Sequence, residues 1–353
     1  MEYLIPQQWF LGLSQWQLLV LVAIAIAALG KASDVVVEGA SGIAAGLGVS
    51  KIVIGATIVS LGTTSPECAV SVLAAWSGEP GLALGNAIGS IIVDSGLIFG
   101  LGCLLTVLPA DKFILSRQGW VQFGSGVFLA LLCYAGYLQA GDQATLGRPV
   151  GLIMLVALAG YMLISIRWSR NHPGSGYSES GGDIAPLLEG ATGTGRLLIL
   201  VTVGLVFVLL TSRVLICSVI ELAENHWSIP KVVVAATLVA FGTSLPELVI
   251  GMASIRRGHK ELLVGNIIGA DILNVLFVVG AAATAAPLPI VERSAQIPEI
   301  MLYIHLPTML LILTVFRLYI YSASSRGSFR KWYGLPLVAI YVSYVVLQFS
   351  LKP

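Results

Sequence analysis

Between Arg117 and Asp142 the chain carries no charged side chain, and the same holds between Arg148 and Arg167, Arg196 and Arg213, Asp271 and Glu292, and Lys331 and Lys352. Each gap is about 20 residues, and an α-helix of that length spans the roughly 30 Å hydrocarbon core of a bilayer. A helix also pairs all of its interior backbone groups within itself, which hydrocarbon requires. Soluble domains carry about 25% charged residues, whereas this 353-residue chain has 10%, with 57% hydrophobic residues. The fold class implied is an all-α polytopic membrane protein.

Hydrophobic runs and Gly/Pro punctuation place ten transmembrane helices, at about 15–45, 51–76, 81–108, 119–139, 149–168, 197–225, 231–255, 261–285, 299–321 and 332–350. Residues 169–196, rich in Gly and Ser, form a polar linker between a first half, 1–168, and a second half, 197–353. The first ten residues carry Glu2 and no Lys or Arg, so they lack the basic region of a cleaved signal and the first run is read as a mature helix. Basic residues set orientation. With both termini outside, the inner connections hold Lys51, Lys112, Arg117, Arg167, Arg170, Arg196, Arg256, Arg257, Lys260, Arg317, Arg326, Arg330 and Lys331. The outer ones hold only Arg148, Lys231, Arg293 and Lys352. A net charge of +1 with no basic stripe excludes nucleic acid as a partner, leaving the lipid bilayer. Cys68, Cys103, Cys133 and Cys217 lie in apolar segments without metal-ligand spacing and read as packing residues.

One stretch occurs twice. Thr57-Ile-Val-Ser-Leu-Gly-Thr-Thr-Ser-Pro-Glu67 returns as Thr237-Leu-Val-Ala-Phe-Gly-Thr-Ser-Leu-Pro-Glu247. The likeness extends over about 51–108 and 231–285, through Gly85/Gly265, Asn86/Asn266, Gly89/Gly269 and Gly100/Gly280. Five helices separate the copies, an odd number, so the two five-helix halves are expected to be inverted repeats. Many secondary transporters use that arrangement around a site at the bilayer midplane. A duplicated structural bundle accounts for the glycines but not for a repeated acid, which costs about 2.5–3.5 kcal/mol at the bilayer centre on insertion scales.

Pro66 removes a backbone donor, and Gly62 weakens the same turn, freeing carbonyls near Ser60 to Thr63. Gly242 and Pro246 do the same near Ala240 to Thr243. Helical spacing sets Ser60, Thr63, Thr64 and Glu67 on one stripe, and Thr243, Ser244 and Glu247 on its counterpart. The third segment adds Asn86, Ser90 and Asp94 on one face; the eighth adds Asn266 and Asn274, with Ala270 between. Carboxylate, hydroxyl, carbonyl and amide oxygens together suit a hard cation such as Ca2+, and Na+ accepts the same ligands. No His or Cys repeats in the two motifs, which argues against a soft metal. For Asn86 and Asn266, hydrogen bonding between helices is an equal alternative. Lys31, Asp34, Glu38, Arg213 and Glu221 are either snorkelling residues or gate charges, with Lys31 and Asp34 spaced to pair.

These paired segments resemble the two alpha-repeats of the calcium/cation antiporter superfamily, which includes the sodium/calcium exchangers. The resemblance implies alternating access and exchange of Ca2+ against Na+, or H+ in some branches, with Glu67 and Glu247 on the central ion. It implies flanking Na+ sites at Thr63, Thr64, Thr243, Ser244 and the carbonyls of Ser60 and Ala240, completed by Ser90, Asp94 and Asn274. The chain departs from the family pattern at Ser90-Ile-Ile-Val-Asp94 and Ala270-Asp-Ile-Leu-Asn274. The hydroxyl at 270 is missing, acid and amide are exchanged between 94 and 274, and Asp271 is an extra acid opposite Ile91. Asp271 is either a proton carrier in an H+- or K+-coupled divalent cation exchanger or a structural partner of a basic residue. The expected setting is a prokaryotic cytoplasmic membrane, with no tightly bound cofactor and no requirement for an oligomer. A channel would need a continuous pore. An enzyme would need a nucleophile–base pair, zinc motif or nucleotide loop, and no such pattern is present.

Overall fold

The computed structural model describes residues 5–47, 50–76, 80–170, 194–222, 225, 244–291 and 300–350. Helix α1 is Gln15–Leu47. Helix α2 runs over 51–76 as Lys51–Ile54, a π-helical turn Gly55–Val59, and Ser60–Trp76. Helix α3 covers 80–105, with Pro80–Ile91, a π-helical segment Ile92–Ile98, and Phe99–Leu105. Helices α4, α5 and α6 are Lys112–Ala140, Arg148–Arg170 and Thr194–Glu221. The described part of α7 is Leu245–Arg256. Helix α8 covers 260–285, again with a π-helical segment, Asn274–Val279, between Lys260–Leu273 and Gly280–Ala285. Helix α9 joins Met301–His305 to Leu306–Ser324, and α10 is Gly334–Ser350.

Seven of the described helices are long and apolar enough to cross a membrane, or eight if the α2 segments, bent by 43° at Pro66, form one span. The first part of the expected seventh span, 231–243, lies outside the described residues. Helix α4 starts earlier than its apolar run suggests because the Asp111 side chain accepts a hydrogen bond from the Ile114 N–H at 2.7 Å and caps it. The third expected span ends early, at Leu105, where the chain turns into a short extended pair. Large apolar side chains lie exposed along α4, α5 and α6, among them Leu131, Leu138, Val156, Leu163, Ile199 and Phe207. That is the outward dress of a lipid-facing helix.

Two of the three apolar cores among the described residues pack the helices around the polar positions. The larger packs α2, α3, α4, α5, α8, α9 and α10, with Phe99 stacked on Phe316 at 4.1 Å between ring centroids. In the smaller, Leu29, Val36 and Val37 of α1 and Val201 and Leu205 of α6 meet Val59 of α2, Ile250 of α7 and Leu262 of α8. Helices α1 and α6 lie close: a Cβ on Gly39 would stand 2.6 Å from Val201 Cγ2, and one on Gly204 2.8 Å from Val36 Cγ2. Along α1, Asp34 and Glu38 bind Arg256 and Arg257 at the end of α7, with Arg257 Nη2 2.9 Å from Asp34 Oδ2. Asp34 therefore pairs across helices rather than along its own.

The halves exchange partners. Leu108–Pro109, after α3, pairs antiparallel with Ser328–Phe329, before α10. Leu288–Pro289, after α8, pairs in the same way with Thr145–Leu146, before α5. Glycines repeat the theme: a Cβ on Gly334 would strike the Gly100 carbonyl, and one on Gly151 would stand 2.6 Å from the Gly280 carbonyl.

Candidate cation site

The acidic residues sit where helices depart from regular α geometry. Pro66 has no N–H for the Gly62 carbonyl, and α2 bends there by 43°, so Glu67 begins the second limb. Asp94 lies within the π-helical segment of α3, and Asn274 opens that of α8. Such insertions re-aim side chains and occur often at functional sites. Helices α2 and α8 cross in near backbone contact. A Cβ on Gly269 would meet Ala56 Cα at 2.5 Å, and one on Gly55 would meet the Leu262 carbonyl at 2.7 Å. Gly265 faces the Ile52 carbonyl still more tightly.

This crossing buries a polar cluster. Ser60, Thr63, Thr64, Glu67, Ser90, Asp94, Ser244, Glu247, Asn266, Asp271 and Asn274 are all buried. Glu67 is 1% exposed, Asp94 1% and Glu247 1%, yet each keeps carboxylate oxygen without a hydrogen-bond partner among the described residues. The same is true of Thr64 Oγ1, Ser90 Oγ, Ser244 Oγ, Asn274 Oδ1 and both amide atoms of Asn266. Glu67, Asp94 and Glu247 are close enough for their charges to interact. Ser244 stands beside Asp94, and Thr63 and Thr64 stand beside Glu247. Buried polar atoms are nearly always paired, so a local concentration of orphaned oxygens marks a place built for something else to pair with. No three His, Cys, Asp or Glu side chains among the described residues converge into a metal-binding group by themselves. A cation held here needs the hydroxyl, amide and carbonyl oxygens as well.

Other expected ligands are differently employed. Thr63 Oγ1 donates to the Ser60 carbonyl at 3.2 Å, so both retain only their remaining lone pairs. Asn86 Nδ2 donates to Ser71 Oγ at 3.2 Å, tying α3 to α2. Its repeat partner Asn266 has no such bond among the described residues. Ala240 and Thr243 lie outside the described residues. Asp271 has no basic partner among the described residues; its Oδ2 accepts from Ser95 Oγ and, at 2.6 Å, from Gln122 Nε2. Gln122 comes from α4, outside the repeated motif. Its signal in the sequence is the polar spacing Gln118, Gln122 and Ser125 within an otherwise apolar run.

Outside the membrane segments, Lys51 Nζ meets His259 Nδ1 at 2.9 Å, joining the start of α2 to the α7–α8 connection. Burial, with the Lys51 and Arg257 charges nearby, pushes His259 down to about 4, so it is neutral and accepts from the lysine.

The family model described as sodium/calcium exchanger protein matches residues 17–167 and 196–350. The chain belongs to the sodium/calcium exchanger family. It is therefore an integral membrane protein of a transporter family. This family member is 32% identical over 270 residues to CaxA of Alkalimonas amylolytica, which carries an antiporter name, covering 76% of this chain and 81% of that one. It is 28% identical over 353 residues to the sodium/calcium exchanger MaX1 of Methanosarcina acetivorans, covering 91% and 95%. The solved structure of the sodium/calcium exchanger from Methanococcus jannaschii superposes with a TM-score of 0.73 at 24% identity, covering 93% of this chain and 97% of that one. That likeness establishes the fold of this exchanger-family chain.

Proposed function

We propose that the chain is a secondary antiporter that exchanges Ca2+ against Na+ by alternating access, with Glu67, Glu247 and Asp94 as the acids of the transport site. The observation that carries this reading is the buried cluster of unpartnered oxygens on α2, α3, α7 and α8. Three acids with hydroxyl and amide oxygens offer the hard, irregular ligand set that Ca2+ accepts. One divalent ion or several monovalent ions neutralise the same charge. Competition for one pocket then links the two fluxes, because each ion shifts the population of states available to the other.

Ten spans in two inverted halves complete the proposal. The exchanged extended pairs and the reciprocal Gly100–Gly334 and Gly151–Gly280 contacts support it, since a pseudo-two-fold axis generates contacts in such pairs. The excess of basic residues in alternate connections puts both termini outside. Helices α1 and α6, packed on each other and resting on α2, α7 and α8 through the smaller core, form the part that moves over the rest. Ca2+, Na+ and lipid are the partners, and no bound cofactor or second copy is needed for the cycle.

The test is calcium-45 flux in proteoliposomes under separate Na+, K+ and pH gradients. An imposed Na+ gradient is expected to drive Ca2+ uptake in the wild type and to fail in Glu67→Gln, with folding unchanged by circular dichroism. Uptake that ignores the Na+ gradient and follows the pH gradient transfers the coupling to protons. Uptake that ignores every gradient, or currents far above carrier rates, rejects antiport.

A further inference from the structure

Asp271 is 1% exposed, and its two carboxylate oxygens are treated differently. Oδ2 accepts two hydrogen bonds, from Ser95 Oγ on α3 and from Gln122 Nε2 on α4 at 2.6 Å. Gln122 Nε2 also lies 3.3 Å from Ser95 Oγ, so the three side chains close a triangle between α3, α4 and α8. Gln122 is itself 3% exposed, and Ser125 Oγ donates to its backbone carbonyl at 2.9 Å. The amide Nε2 is thus shared between Asp271 Oδ2 and Ser95 Oγ. Oδ1 of Asp271, by contrast, is buried with no partner among the described residues.

Other buried oxygens in the neighbourhood share this condition. Asp271 lies near enough to Asp94 for their charges to interact; both Asp94 oxygens are without a partner among the described residues, and so is Asn274 Oδ1, one turn along α8. A proton on Oδ1 would need an acceptor, and none is within hydrogen-bond geometry among the described residues. A buried O–H left without an acceptor is costly. A small monovalent cation needs only oxygen lone pairs, which is what Oδ1, Asp94 and Asn274 leave open. One carboxylate clamped by two neutral donors also matches one positive charge better than two.

We propose that Gln122 and Ser95 are positioning residues that hold Asp271 as an accessory ligand for a monovalent cation, and so set the affinity for Na+ apart from that for Ca2+. This rests on the antiport reading for its role in transport, but the binding itself is tested without transport. Purified protein in detergent is heated in a titration of NaCl against choline chloride, and separately of CaCl2. Sodium is expected to raise the unfolding temperature of the wild type more than choline does. Asp271→Asn and Gln122→Leu are each expected to raise the half-saturating Na+ concentration about tenfold, the scale of one lost hydrogen bond to a charged group. Half-saturating Ca2+ should move by less than about twofold. The double variant should be no worse than Asp271→Asn, because Gln122 acts through Asp271. Ser95→Ala gives an independent reading if Gln122→Leu is poorly folded, and Gln122→Asn measures rescue by a shorter amide.

Equal shifts for Na+ and Ca2+, additive effects in the double variant, or a wild type that responds alike to Na+ and choline would each overturn the assignment. So would an Asp271→Asn effect on pH dependence with Na+ binding untouched. Failure of Na+-driven flux with Na+ binding intact would count against antiport alone.

Discussion

Replacing Gly265 by Ala tests the crossing on which the site depends. An ideal Cβ at 265 would stand 2.8 Å from Ile52 C and 2.9 Å from Ile52 Cα, and closer still to the Ile52 oxygen. Non-bonded carbons prefer about 3.5–4.0 Å. The obstacle is backbone, so no side chain can rotate away, and α2 and α8 must part by about 1 Å. Overpacking of that kind costs on the order of 3 kcal/mol, at the upper end of the usual range. Alanine returns about 1 kcal/mol through its better helix propensity. The net loss is then about 2 kcal/mol, or roughly 4 °C in unfolding temperature at about 2 °C per kcal/mol. Gly124→Ala on α4 is the control, since nothing among the described residues lies within 4 Å of its Cβ position; it should be neutral or stabilising. Thermal unfolding of both variants in detergent gives the first readout. Half-saturating Ca2+ gives the second, because α2 carries Glu67 and α8 carries Asn274, and parting the helices moves one against the other. If Gly265→Ala unfolds at the same temperature as Gly124→Ala, the close crossing does not exist as described.

Asp94→Asn removes one of the interacting buried acids and should weaken Ca2+ binding at least tenfold in a calorimetric titration while leaving the wild-type helical signal intact. His259 is held neutral in the fold, so its contribution to stability is complete above its unfolded value near 6.5 and is lost as pH falls toward about 4. Unfolding temperature should therefore decline over that interval more steeply in the wild type than in His259→Gln, whose amide keeps an acceptor for Lys51. Arg257→Gln breaks its pairs to Asp34 and Glu38. Since the arginine is 38% exposed, screening limits the loss to about 1 kcal/mol. A double-mutant cycle with Asp34→Asn should show that the two losses are not additive, and raised salt should shrink both.

The sequence repeat already marks the outline of this buried polar cluster. Glu67 and Glu247 stood out because a repeated acid in an apolar run is expensive to keep by accident, and the free oxygens of Thr64 and Ser244, and of Asp94 and Asn274, occupy matched repeat positions, whereas Ser90 is matched by Ala270 in the repeat. What escaped was contact across helices without a sequence period. Gln122 reaches Asp271 from a helix outside the repeat, so periodicity could flag its polarity but not its partner. The π-helical segments at 92–98 and 274–279 shift the facing of residues after them, and no propensity rule marks where an extra residue enters a helix. Asn86 and Asn266 occupy matched repeat positions yet differ in bonding: one is tied to Ser71, while the other has no such bond among the described residues. The reason is that Ser71 has Gly251 at its repeat position, so the second half has no hydroxyl there to accept.

The exchanged extended pairs carry a consequence for how such a chain could arise. Leu108–Pro109 finds its strand partner only beyond residue 300, and Thr145–Leu146 finds its own only beyond residue 280. If the two halves are equivalent as proposed, either one expressed alone would present two unmated edges, which another copy of the same half could satisfy. The polypeptide is thus, in its contacts, a dimer joined by a tether. On the proposed inverted arrangement, an ancestor half as long would have had to insert in both directions and pair with its twin to close those edges.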